Sequence, residues 1–257
     1  MEPMPLPLDR AEIKAEARSL MRCGSVRPVR MTALFLAITF FLSLISDTVT
    51  YLMDGGAGMI ALPLVFVSIL ISLVSLVLNA GYTCYCLGIH RREQMPYTSL
   101  FDAFSFAGKV ILLAIVQGIF IFLWSLLFIV PGIIAAYRYS FAMLNLCRNP
   151  ELGAMEALNL SKQQTAGYKW QLFVLQLSFI GWYLLAAAVM WVYWAAVYFL
   201  LPDSYPGIML GSLLFFALSI AAEIYLKPYL QLSVCGFYLR ATAEPPQEPN
   251  DWYDPAF

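Results

Sequence analysis

Residues 110–147 read VILLAIVQGIFIFLWSLLFIVPGIIAAYRYSFAMLNLC, an apolar run broken only by Pro131-Gly132 and Arg138. A helix that crosses a bilayer needs about 20 mostly apolar residues for a hydrocarbon core of about 30 Å. This run is either one overlong broken helix or two helices that turn at Pro131-Gly132. The choice decides the fold, because it sets whether the chain crosses a membrane an odd or an even number of times.

Basic residues make the choice. Cytoplasmic flanks of membrane spans are rich in Lys and Arg. Arg91, Arg92 and Lys109 precede the run, and Arg148, Lys162 and Lys169 follow it. If both flanks are cytoplasmic, an even number of crossings lies between them, and two helices win. The second, Ile133 to Cys147, is short at about 22 Å. It crosses only if the turn dips into the bilayer or the membrane thins locally.

Working outward, Met31 to Met53, Gly58 to Ile89, Trp170 to Leu201 and Pro206 to Tyr238 supply four further apolar stretches. The segments near Asp54 and from Pro202 to Pro206 hold no Lys or Arg, whereas Arg10, Lys14, Arg18, Arg22, Arg27 and Arg30 crowd the N-terminus and Arg240 follows the last stretch. The expectation is an all-α polytopic membrane protein: six transmembrane helices, short cytoplasmic interfacial amphipathic helices, and both termini cytoplasmic in a cell membrane. It divides into a cytoplasmic N-terminal segment (1–30), a six-helix membrane domain (31–240) and a disordered acidic, proline-rich tail (241–257). Composition agrees, with 61% hydrophobic and 12% charged residues among 257, against about 25% charged in soluble domains. A net charge of −1 gives no basic field that would attract nucleic acid.

Three short cytoplasmic segments follow one plan. Asp9 can cap a helix with Glu12 completing a capping box, and Ile13, Ala17, Leu20 and Met21 then share a face opposite Lys14, Arg18 and Arg22. Such a helix should lie on the inner membrane surface and meet anionic lipids. Ser99 can cap a second helix through Phe104, and Asn149-Pro150 opens a third through Leu160. Each precedes a basic residue and a membrane hairpin, giving three units of like elements rather than like sequence.

Glu156-Ala157, Ser161-Lys162, Gly167 and Leu177-Ser178-Phe179-Ile180-Gly181-Trp182 resemble the most recognisable stretch of a family of bacterial integral membrane proteins, common in Gram-positive bacteria and known as domain of unknown function 975. Ile13-Lys14, Ala17-Arg18 and Leu20 look like its N-terminal motif, and Leu100-Phe101, Phe104 and Gly108-Lys109 like its middle helix. Pro131-Gly132-Ile133-Ile134 resembles its turn and Phe237-Tyr238 its C-terminal end. Cys23-Gly24-Ser25 departs from it, where relatives carry a polar residue and a Trp. The resemblance implies six membrane helices and brings no catalytic residue.

Candidate chemistry is sparse. His90 is the only histidine and reads as a solvated flank residue beside Arg91-Arg92. Cys23, Cys84, Cys86, Cys147 and Cys235 fall towards cytoplasmic ends, where thiols stay reduced; Cys84-x-Cys86 lacks zinc spacing. No nucleophile-and-base motif or phosphate-binding loop is present, so no enzyme and no cofactor is expected. Four residues form the candidate intramembrane polar site. Glu223 and Lys227, four apart on one helix face, read as a structural ion pair or as a solute or proton site. Arg138 reads as a structural contact to carbonyls freed by the Pro131-Gly132 break or as part of a solute path, with Gln117 as a possible partner. Charges at such depth face the bundle interior or a wet cavity. Two functions remain open: a non-catalytic envelope scaffold or partner-binding protein, in contact with the bilayer, anionic lipids and a candidate membrane-protein partner, and a transporter or channel for a small solute or lipid.

Overall fold

A computed structural model describes residues 9–22, 27–54, 61–200 and 205–242. Cys23, the segments around Gly56 and Ser204, and the tail from residue 243 lie outside the described residues. The elements in chain order are α1 (Arg10–Leu20), α2 (Pro28–Asp54), α3 (Ala61–His90), a 3-10 helix (Tyr97–Phe106) running into α4 (Ala107–Leu127), α5 (Ile129–Arg138), α6 (Ala142–Arg148), α7 (Ala154–Gln164), α8 (Lys169–Leu200) and α9 (Tyr205–Ala241). Among the described residues, five stretches are long and apolar enough to cross a membrane: Pro28–Leu52, Leu62–His90, Tyr97–Leu127, Ile129–Arg148 and Lys169–Val197. Leu62, Leu126 and Trp191 are each more than three-quarters exposed, a lateral apolar surface suited to lipid and not to water. The chain is a multi-pass, all-α membrane protein.

The deciding stretch does not run on as one helix: it breaks at Phe128, three residues earlier than expected, and again farther on. Phe128 is extended (φ −162°, ψ 155°) and separates α4 from α5. Pro131 sits in the first turn of α5, where backbone N–H groups lack intrahelical acceptors and proline is tolerated. A Cβ on Gly132 would stand 2.1 Å from Ser125 Oγ and 2.9 Å from its Cα. Glycine lets the two helices of the hairpin press together there. Nor is Ile133 to Cys147 one helix: residues 139–141 interrupt it between α5 and α6.

The short helices pack in a cycle. The 3-10 helix lies on α3, α7 lies on α6 and α4, and α1 lies on α9. Each short helix therefore seats on the last membrane helix of the unit before it, the first unit following the third. They gather at the end of the bundle where α3, α6 and α9 finish. Tyr82, Tyr85, Phe141, Phe237 and Tyr238 are fully buried in that end, so aromatic packing holds the three units together there.

Several expectations are corrected here. The apolar stripe of α1 does not face lipid: Ile13 and Ala17 are fully buried in a cluster that includes Leu232, Cys235 and Phe237 of α9. An apolar face needs an apolar cover, and α9 supplies it. Asp9 does cap α1, accepting from Ala11 N–H at 2.8 Å, but Glu12 reaches Arg240 at 3.1 Å instead of closing a capping box. The second short helix starts at Tyr97 after Pro96, leaving Ser99 buried inside it. Asn149 accepts from Glu151 N–H in a turn, and α7 starts only at Ala154. His90 is not solvated. Its side chain is 2% exposed, 3.9 Å from Glu16, with Nε2 2.7 Å from the Leu232 carbonyl. Finally, Cys84 and Cys147 are joined by a disulfide that ties α3 to α6. The two sit on adjacent helix ends with Cα atoms 5.1 Å apart, a proximity that a separation of 63 residues concealed.

Candidate functional site

The break after Arg138 frees two backbone groups, and lipid offers no partner for either. Ser161 on α7 answers both. Its hydroxyl donates to the Arg138 carbonyl at 2.9 Å and accepts from Phe141 N–H at 3.2 Å. Thr165, one turn on, also donates to the Arg138 carbonyl at 3.2 Å. One turn beyond the break, the Asn145 side chain donates to the Ala157 carbonyl at 3.4 Å. The same amide accepts from Tyr238 Oη at 2.9 Å. Ser161 is fully buried and Asn145 is 2% exposed. The freed backbone groups are thus satisfied, while Arg138 Nε and Gln164 Oε1 beside them are buried without a partner. The network turns a discontinuous helix into a fixed part of the bundle and joins α6, α7 and α9.

Arg138 takes part through its carbonyl. Its guanidinium Nε is buried without a hydrogen-bond partner, and among the described residues no hydrogen bond links it to Gln117, which lies half-buried on α4. The expected contact to freed carbonyls is thus made by α7, at a different break.

Glu223 and Lys227 also part company. Among the described residues no ion pair joins them. The Lys227 ammonium stands 4.0 Å from the centroid of the Phe35 ring and 5.7 Å from that of Tyr82, a cation–π cradle worth about 0.5–2 kcal/mol. Phe35 and Tyr82 themselves pack at 4.9 Å between centroids, and Tyr82 Oη bonds Thr32 at 2.8 Å. Lys227 therefore fastens α9 to α2 and α3.

Glu223 faces elsewhere, into a groove of about 1280 Å3 between α8 and α9. The walls are largely apolar and aromatic, with Trp182, Tyr183, Leu185 and Leu226 among them, and Lys14 and Arg18 of α1 close one end. Both cations are held in place. Lys14 Nζ donates to Ser178 Oγ and stands 4.8 Å from the Phe179 centroid. Arg18 lies 5.8 Å from the Tyr229 centroid and reaches its hydroxyl at 3.5 Å. Burial, then the neighbouring charges of Arg10 and Arg18, lower the Lys14 pKa from its ordinary value. The acids of α1 turn the other way: Glu12 and Glu16 pair with Arg240 at 3.1 and 2.9 Å.

The sequence reading missed Ser161, Thr165, Asn145 and Tyr238 as partners of the break, although Ser161 and Tyr238 belong to the motifs quoted above. It placed Lys14 and Arg18 on the correct face of α1 but against the wrong surface. Among the described residues no group of His, Cys, Asp and Glu is placed to hold a metal ion.

Residues 126–244 match the family model described as protein of unknown function, DUF975. The match covers a little under half of the chain and takes in α5 to α9, with the whole Ser161–Asn145–Tyr238 network and both walls of the groove. No curated protein and no solved structure matches the chain.

Proposed function

We propose that this chain is a six-span, non-catalytic member of the DUF975 family over its whole length, and that it binds a membrane component at the α8–α9 groove. Both termini then lie on the cytoplasmic side. The sixth span is α9, and the gathering of the ends of α3, α6 and α9 at one end of the bundle supports an even number of crossings between them. The excess of Lys and Arg at that end supports the orientation.

One observation carries the choice of binding over transport. A solute path would join the intramembrane charges, yet Arg138 sits at a break closed by Ser161 and is not among the residues lining the groove that holds Glu223. The transporter reading keeps one point in its favour, the carboxylate of Glu223 on an open wall. Thiol labelling separates the two. Ala142 is fully buried and Ala135 is 4% exposed, so cysteines placed there should resist water-soluble reagents in Arg138→Gln as in the parent. Ready labelling in a folded Arg138→Gln protein would give first place to the transporter. Reporters at Gln94 and Gln163 should read inside, and an outside signal at Gln163 would break the six-span arrangement.

A further inference from the structure

We propose that the groove between α8 and α9 holds one anionic phospholipid drawn from the bilayer, its phosphate between Lys14 and Arg18 and its acyl chains along Trp182, Leu185 and Leu226. This rests on the groove being the binding surface, and it names the occupant.

Charge is the first argument. Among the described residues neither Lys14 nor Arg18 forms an ion pair, because the carboxylates of the same helix are taken by Arg240 on its other side. Two fixed cations without a counter-ion, at the mouth of an apolar cleft, suit a phosphate, which accepts charge-assisted hydrogen bonds from both. Their own contacts, to Ser178, Phe179 and Tyr229, hold the side chains before any ligand arrives, which lowers the entropic cost of binding. Burial, and after it the charges of Arg10 and Arg18, depress the Lys14 pKa, and an anion beside the ammonium favours its charged form again.

Shape is the second. At about 1280 Å3 the groove exceeds the roughly 300–1,000 Å3 of ordinary small-molecule pockets. Its walls continue into the exposed apolar faces of α8 and α9, so an acyl chain enters sideways without leaving hydrocarbon. Glu223 sets the direction. It lies six residues, about 9 Å, from Tyr229 along α9, away from the cationic mouth. A carboxylate there, partway along a groove that runs on to Ser219 and Leu218, repels phosphate from the inner half and leaves the headgroup at α1.

The test is native mass spectrometry of the full chain in mild detergent, titrated with phosphatidylglycerol or phosphatidylcholine of matched acyl chains. One phosphatidylglycerol should bind at least tenfold more tightly than phosphatidylcholine. Lys14→Gln with Arg18→Gln should abolish that preference, and the charge-preserving pair Lys14→Arg with Arg18→Lys should keep it. Ala222→Trp, which fills the groove and leaves the charges alone, should weaken both lipids. Thermal unfolding in the same detergent checks that each variant is folded. Equal binding of the two lipids by the parent, or an unchanged preference in the glutamine pair, overturns the proposal. So does the absence of any bound lipid, which leaves the groove as a surface for a protein. The binding reading itself fails on a separate measurement, thiol labelling at Ala135 and Ala142, so the two failures are told apart.

Discussion

The α6–α7 junction and the α8–α9 groove both place polar groups where a membrane protein has few, and they treat them in opposite ways. At the junction the freed Arg138 carbonyl and Phe141 N–H both meet Ser161 and Tyr238 takes the Asn145 amide, so the backbone is compensated within the chain even though Arg138 Nε is not. At the groove the cations of Lys14 and Arg18 are steadied by rings and hydroxyls, and among the described residues no carboxylate pairs with either. Intramembrane polarity by itself therefore does not mark function. The mark is polarity that the protein prepares and leaves uncompensated.

The sharpest way to break this contrast is Ser161→Ala. It leaves a buried N–H without a partner and a carbonyl with Thr165 alone, and should cost about 2 kcal/mol by chemical or thermal unfolding in detergent. A loss near zero would mean that water or a shift of α6 replaces the hydroxyl, and the junction would no longer differ from the groove. Tyr238→Phe is milder, since Asn145 keeps its bond to Ala157; a loss of about 1 kcal/mol is expected. The smallest effect sharpens the other side. The folded-state pKa of Lys14 is lowered, so between that value and the unfolded one the unfolded chain binds more protons and stability rises with pH. A gentle rise of melting temperature on the alkaline side, ending by about pH 10.5, should disappear in Lys14→Gln. Saturation with an anionic lipid should flatten it, because an opposite charge restores the ionised form.

Much of this was legible in the sequence. The apolar stretches, the break within residues 110–147, the cap at Asp9 and the recurrence of a short helix ahead of α2, α4 and α8 all follow from local composition and spacing. What was not legible is what covers each face. Periodicity showed that Ile13 and Ala17 need an apolar neighbour, and it is silent on whether lipid or α9 provides one. The i, i+4 spacing of Glu223 and Lys227 suggested an ion pair, but Phe35 and Tyr82, on two distant helices, captured the ammonium. Proline drew the eye to residue 131, whereas the second interruption at residues 139–141 carries neither proline nor glycine and depends on Ser161. The same blindness to distant contacts hid the bond between Cys84 and Cys147.

The seat of α1 has a consequence for how the protein is made. Glu16 and the Arg240 it grips are 224 residues apart, so α1 leaves the ribosome long before the helix it docks on. Until α9 is inserted, the apolar stripe of α1 has no protein to cover it and must rest on the membrane surface, as an isolated amphipathic helix does. Closure of the ring by α1 then reports that α9 is in place. A chain truncated before Arg240 would lose the partner of Glu12 and Glu16 and loosen the seat that buries Ile13 and Ala17.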